Sequence, residues 1–245
     1  NIDPKVQDAA QKAVSDVVGP KDPVLAGTAI VQPGTGLLLA MAQSRPVMGD
    51  KSGQTYYNYM APASMGGATG FQAGSIFKAF TTAAALEKGI AINKHYTASS
   101  PMDFTGERFT NCKGAFKSGP FRVRNSTGHS WNIGLREAAA WSVNTYFVQL
   151  EQDVGMCEVT KMTQNAGVKL SSGKDIVTAF QHVPSFTLGT AYVSPLSMAS
   201  AYATFASRGV RCDPIILKSI KNRNGSAIKV PTGNCKRVMP QKVAD

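Results

Sequence analysis

Gly74-Ser75-Ile76-Phe77-Lys78 opens an apolar segment that runs to Lys88. Ile76, Phe77, Phe80, Ala83, Ala84 and Leu86 make that segment apolar around most of its surface, the pattern of a central buried helix, and Gly89 ends it. On such a helix Ser75 and Lys78 lie one turn apart on the same face. A buried lysine loses hydration, its pKa falls, and the neutral amine can take a proton from an adjacent hydroxyl. The helix start also leaves backbone N–H donors without carbonyl partners, where they can stabilise an oxyanion. The plainer reading makes Ser75 an N-cap and Lys78 a lysine that snorkels to solvent.

Context separates this pair from its competitors. Ser-x-x-Lys occurs three times. Ser171 to Lys174 lies in a polar loop, and Ser226 to Lys229 lies on an expected strand, where positions three apart face opposite ways. A second short motif, Ser142-Val143-Asn144, sits between two helical patterns, Leu135 to Trp141 and Thr145 to Asp153. A tight bend there aims both side chains into a cleft. The Ser142 hydroxyl then suits a proton relay between Lys78 and a leaving amine, and Asn144 offers a donor and an acceptor to a substrate amide. Ser130-Trp131-Asn132 has the same spacing but reads as a loop. His95, His129 and His182 join no acid in a triad and read as loop or surface residues. Trp131, Trp141, Tyr146 and Phe147 read as core or cleft wall.

Outward from these motifs the pattern is α+β. Asp3-Pro4 starts a helix carried by Val6, Ala9, Ala10, Ala13, Val14, Val17 and Val18, and Gly19-Pro20 stops it. Ala26 to Gln32 and Leu37 to Ala42 flank a Pro33 to Gly36 turn, a hairpin signature. Residues 43–70 read as loop and 93–130 as irregular. Pro195 to Ser207 reads as a further helix. Helices flanked by hairpins, rather than alternating strand and helix, argue an antiparallel sheet with a helical cluster.

Composition bounds the function. The chain has 245 residues, 43% hydrophobic, with no stretch long enough to span a bilayer and no signal peptide at its start; it is expected to be a mature product or a piece of something longer. Lys and Arg outnumber Asp and Glu by 26 to 15, a net charge of +11. The basic residues are scattered and no nucleic-acid module is present, so a solvated basic surface is expected and no nucleic-acid partner. Cys212 and Cys235 bracket a hairpin pattern around Asn224-Gly225 and are candidates for a disulfide at its open end, against a reading as reduced, buried thiols. The pairing of Cys112 and Cys157 is left open. No cysteine or histidine spacing suits zinc, so neither metal nor cofactor is expected, and a disulfide favours an extracytoplasmic location.

In order and context these motifs resemble the penicillin-binding proteins, in particular the transpeptidase domain of the bifunctional class A enzymes. Ser75-Ile76-Phe77-Lys78 matches the nucleophile motif and Ser142-Val143-Asn144 the second motif. Asn1 to Gln7, the hairpin from Ala29 to Met41, and Tyr192 to Ala199 with Ala201 to Ala206 extend the match along nearly the whole chain. The resemblance implies a serine β-lactamase/penicillin-binding transpeptidase-like fold. It implies that Ser75 attacks the penultimate D-alanine of a peptidoglycan stem peptide, with Lys78 and Ser142 catalytic and Asn144 binding substrate. Penicillin and other β-lactams are the implied trapping ligands, and no cofactor is implied. Valine stands where the family signature has aspartate in the second motif.

The larger departure is the third motif. No Lys-Thr-Gly follows Asn144; Lys51-Ser52-Gly53 and Lys117-Ser118-Gly119 resemble it but precede Ser142, the wrong order for the family. The expectation is that residues 1–245 are the N-terminal and central part of one transpeptidase domain. Its C-terminal segment would then be a partner polypeptide or further sequence, and the whole would be anchored at the extracytoplasmic face by sequence outside this chain. The alternatives are a β-lactam sensor or non-catalytic peptidoglycan-binding module, and, further off, a serine β-lactamase. The last needs a glutamate to activate water, and neither Glu151 nor Glu158 has that context.

Overall fold

The computed structural model describes residues 2–127 and 131–245. His129 and Ser130 therefore lie outside the described residues. In chain order the helices are α1 (Pro4–Ser15), α2 (Lys78–Glu87), α3 (Leu135–Ala140), α4 (Asn144–Val154), α5 (Met156–Ala166), α6 (Ile176–Phe180), α7 (Pro195–Ala206) and α8 (Gln241–Ala244). The chain forms two compact units, one of Asn1–Phe71, Ala166–Gly173 and Val193–Asp245, the other of Gln72–Asn165 and Lys174–Tyr192.

The first unit starts where the sequence places a cap: the Asp3 side chain accepts from the Lys5 and Val6 amides, and Pro4 follows at the first helical position. Strands β1 (Gly27–Val31) and β2 (Leu38–Gln43) form the expected antiparallel hairpin, with Ala29 opposite Met41. The alternating burial of β2 turns Leu38, Ala40 and Ala42 inward, and α1 lays Ala10 and Val14 on Ala40 and Ala42. Small residues at this contact let the helix approach closely enough to serve the backbone of β2. Gln7 Nε2 donates to Met41 O at 3.0 Å, and Met41 N donates to Gln7 Oε1 at 2.9 Å. One side-chain amide thus stands in for a neighbouring strand and closes part of the sheet edge.

Residues 43–70 hold more structure than expected. β3 (Asn58–Pro62) buries Met60 and Ala61 and pairs in parallel with β4 (Gly67–Ala68). Gln43 fixes β3 by accepting from Tyr59 N and donating to Tyr57 O, a side-chain device that leaves no periodicity to read. Ser194 caps α7 by accepting from Ser197 N, and Leu196, Met198 and Ala201 are buried. Strands Ile220–Lys221 and Ala227–Ile228 pair antiparallel around Asn224-Gly225, and Cys212 is disulfide-bonded to Cys235.

The second unit is mainly helical. α2 is buried through Phe80, Ala83, Ala84 and Ala85, and packs on α4, whose Tyr146, Phe147, Val148 and Leu150 are buried. Lys88 at the end of α2 donates to Asp153 O and Val154 O, capping the carbonyl end of α4. Within 93–130, where no regular structure was expected, three short antiparallel pairings occur: His95–Ala98 with Trp131–Gly134, Met102–Asp103 with Arg122–Val123, and Arg108–Asn111 with Gly114–Lys117. α5 has no counterpart in the sequence reading, because its buried face carries Thr160 and Thr163 among Met156, Val159 and Met162. Each threonine hydroxyl donates to the carbonyl four residues back, to Met156 O and Val159 O, so polar residues fill an interior face. Cys112 is disulfide-bonded to Cys157, at the start of α5.

Candidate active site

Ser75 lies on a 3-10 turn, Gly74–Phe77, that leads into α2 at Lys78. The sequence pattern placed it on the α-helix itself. The tighter turn matters, because side chains three apart eclipse in a 3-10 helix. Ser75 and Lys78 are so spaced, and Lys78 Nζ reaches Ser75 Oγ at 3.2 Å. The turn is anchored by Phe77, 1% exposed, which packs edge-on against Phe80 and Phe186 with ring centroids 5.5 and 5.1 Å away. Burying such a ring contributes about 1.5–3 kcal/mol. Ser75 itself is exposed and free for a substrate to approach. Gly74 has φ +64°, a backbone state open to glycine, and its amide donates to Gly189 O at 2.9 Å.

Ser142 comes from the bend between α3 and α4. Its φ is +52°, left-handed and strained for a serine, and is held by Ser142 N donating to Ala139 O and Val143 N to Ala138 O. That bend turns both oxygens of Ser142 towards the lysine: Lys78 Nζ donates to Ser142 O at 2.6 Å and to Ser142 Oγ at 2.9 Å. Val143, in the place of the signature aspartate, is 1% exposed and points into the core, where an apolar side chain costs nothing.

Asn144 begins α4. Its Oδ1 accepts from Lys78 Nζ at 2.6 Å, and its Nδ2 donates to Arg124 O at 2.8 Å. The next residue is docked the same way, Thr145 N and Oγ1 both donating to Asn125 Oδ1. Both ends of the Asn144 amide are thus engaged with the protein, with one Nδ2 hydrogen left over.

Lys78 is 4% exposed and its Nζ lies 5.4 Å from the centre of the Phe147 ring. Burial lowers its pKa from 10.5 to about 8. Four oxygens surround Nζ, so neither an ammonium nor a neutral amine serves all of them at once, and burial is what favours the neutral form. A neutral amine donates two hydrogens, which match the two 2.6 Å contacts to Ser142 O and Asn144 Oδ1. Its lone pair is then left for a serine hydroxyl, so the arrangement can withdraw a proton from Ser75 and hand it to Ser142.

The other candidates fall apart in space. His95 is exposed with Nδ1 against Asn93 O, and His182 is exposed. Trp141 is 60% exposed, whereas Tyr146 and Phe147 are buried. The Lys78 support from Phe147 and Arg124 O was not read from the sequence. The helical offset of three from Asn144 to Phe147 is the one signal for the ring, and a backbone acceptor leaves none. Among the described residues no cluster of His, Cys, Asp and Glu suits a metal ion, and no helix is long and apolar enough to cross a membrane.

A serine, a buried lysine and a second serine from a helix junction thus meet in an α+β scaffold. The family profile of the penicillin binding protein transpeptidase domain matches residues 26–245, and the chain belongs to that family. Penicillin-binding protein 1A of Mycobacterium tuberculosis is 27% identical over 236 residues, 93% of this chain and 25% of that protein. Penicillin-binding protein 2D of Bacillus subtilis is 23% identical and covers 99% of the chain, which spans 31% of it. The chain thus spans about a quarter to a third of these relatives. Among solved structures, PonA1 of M. tuberculosis in complex with penicillin V superposes with a TM-score of 0.72 at 25% identity, covering 99% of this chain and 59% of that one.

Proposed function

We propose that this chain carries the acyl-transfer centre of a peptidoglycan D,D-transpeptidase. The observation that supports it is the position of Lys78 Nζ, buried, with a lowered pKa, and within 3.2 Å of Ser75 Oγ and 2.9 Å of Ser142 Oγ. Neutral Lys78 takes the Ser75 hydroxyl proton as Oγ attacks the penultimate D-alanine carbonyl of a stem peptide. Backbone N–H groups at the start of the turn that carries Ser75 are the candidate donors to the developing oxyanion. The peptide C–N bond breaks, Ser142 passes a proton to the departing amine, and terminal D-alanine leaves. An amine of a neighbouring strand then attacks the ester, and the proton it loses restores the Ser75 hydroxyl. A β-lactam enters the same first step through its ring carbonyl and remains on Ser75. The two disulfides agree with an extracytoplasmic site. On this reading a Lys-Thr-Gly segment of the same domain completes the cleft wall.

The test is intact mass over time after incubation of the purified protein with a penicillin, with Ser75→Ala as control. A persistent adduct that the substitution abolishes is expected. Rapid turnover of the drug would move the chain to the β-lactamases, and an adduct retained by Ser75→Ala would displace Ser75 as nucleophile.

A further inference from the structure

One turn deeper than Lys78, the interface of α2 and α4 holds a second set of polar groups that the acyl-transfer steps do not use. Glu151 on α4 is 0% exposed, and neither carboxyl oxygen has a well-formed hydrogen bond. α4, which carries it, packs on the short 3-10 turn Phe186–Leu188, and the backbone N–H of Thr187 lies near the carboxyl group without a hydrogen bond to it. Thr187 is also wholly buried, and its hydroxyl lies 2.7 Å from that of Thr81, one turn along α2 from Lys78. Immediately after this turn comes Gly189, with φ +77°, whose carbonyl accepts from Gly74 N. A Cβ at Gly189 would stand 2.0 Å from Gly74 O, so the two backbones touch with no room between them. Glu151, Thr187, Gly189, Gly74 and Ser75 form one chain of contacts.

We propose that Glu151 is a positioning residue: its buried carboxyl group braces the Phe186–Leu188 turn and, through the Gly189–Gly74 contact, fixes the turn that carries Ser75. This rests on the reading of Ser75 as nucleophile. An interior carboxylate without a charged partner is too costly to persist, so the group works as an un-ionised acid. Burial pushes its pKa well above the ordinary value, with the Thr187 amide opposing weakly. Among the described residues no charged side chain faces it from the packed elements. Lys78 is turned to Ser142 and Asn144, and Glu87, Lys88, Arg136, Glu137, His95 and Arg108 are exposed. The sign follows: a folded-state pKa above the unfolded value gives stability that is full at low pH and lost as pH rises through the folded value.

The test compares wild type, Glu151→Gln and Glu151→Ala by three readouts. These are the rate of penicillin acylation, hydrogen exchange of the Gly74–Phe77 amides, and Tm against pH. Glutamine keeps shape and neutrality, so acylation and exchange stay within about twofold of wild type and the alkaline fall of Tm is reduced. Alanine leaves the turn loose: exchange at Gly74–Phe77 quickens and acylation falls by about tenfold to a hundredfold. Exchange at Gly74–Phe77 unchanged in Glu151→Ala overturns the proposal, as does an alkaline fall of Tm undiminished in Glu151→Gln. If wild type takes no penicillin, the nucleophile reading fails by itself, while exchange and the Tm profile still decide whether Glu151 braces the turn.

Discussion

Lys78 and Ser75 owe their relation to three residues of chain, but the chemistry of the lysine comes from what surrounds it. Burial favours the neutral amine and sets its pKa at about 8, against the oxygens gathered at Nζ, which favour the ammonium. Acylation of Ser75 by penicillin should therefore rise with pH and reach half its maximum near 8, since only the neutral amine accepts the proton. A rate flat from pH 6 to 9 would remove Lys78 as the base. Lys78→Arg leaves a permanent cation in place of a group that can deprotonate. Its acylation rate should fall by about 10²–10⁴-fold, read by stopped-flow at a temperature where the variant remains folded. The lysine was legible from its spacing to Ser75. The Asn144 amide was not, because a residue type with both donor and acceptor fits a substrate as readily as it fits Lys78 and Arg124 O.

At the scale of elements, the site is three short segments pinned by backbone contacts: the 3-10 turn at 74–77, the left-handed bend at Ser142 and the turn ending at Gly189. Each departs from regular geometry; helix periodicity located the bend at Ser142, as the gap between two helical patterns, but neither the 3-10 turn at 74–77 nor the turn ending at Gly189. Gly189 and Gly173 make a controlled pair, with φ values of +77° and +74°. An added Cβ at Gly173 meets nothing within 4 Å, whereas at Gly189 it runs into Gly74 backbone. Gly173→Ala should cost about 1 kcal/mol, the left-handed penalty alone. Gly189→Ala should lower Tm further and slow acylation, because the Ser75 turn must move aside. Equal losses of Tm and of acylation rate in the two variants would show that the Gly74 contact positions nothing.

Over the whole molecule, stability is distributed between two units, each closed by its own disulfide. Cys112–Cys157 ties residues 45 apart in the unit that holds Ser75, and Cys212–Cys235 ties residues 23 apart in the other. Chain entropy gives each a contribution of about 3–4 kcal/mol. Reduction should lower Tm markedly, and Cys112→Ala with Cys157→Ala should reduce acylation at a temperature where Cys212→Ala with Cys235→Ala leaves more of it. A reductant-insensitive Tm would show that the bridges add little to burial. The net charge of +11 is carried by scattered residues and served no part of the site beyond Lys78.

The sequence by itself determined what is local. It set the buried α2 and the three-residue spacing of Ser75 to Lys78, the cap at Asp3, the β1–β2 hairpin, the hairpin at Asn224-Gly225, α7, and the α+β class. Each of these is written in a period, a cap or a turn within a dozen residues. Only the tertiary structure decided what depends on distant groups. Ser142 and Asn144 reach Lys78 across 64 and 66 residues; Gln7 closes the edge of β2, and Glu151 is left buried against Thr187. Such contacts arise because unpaired polar groups must find partners wherever packing brings them, and that requirement leaves no pattern along the chain.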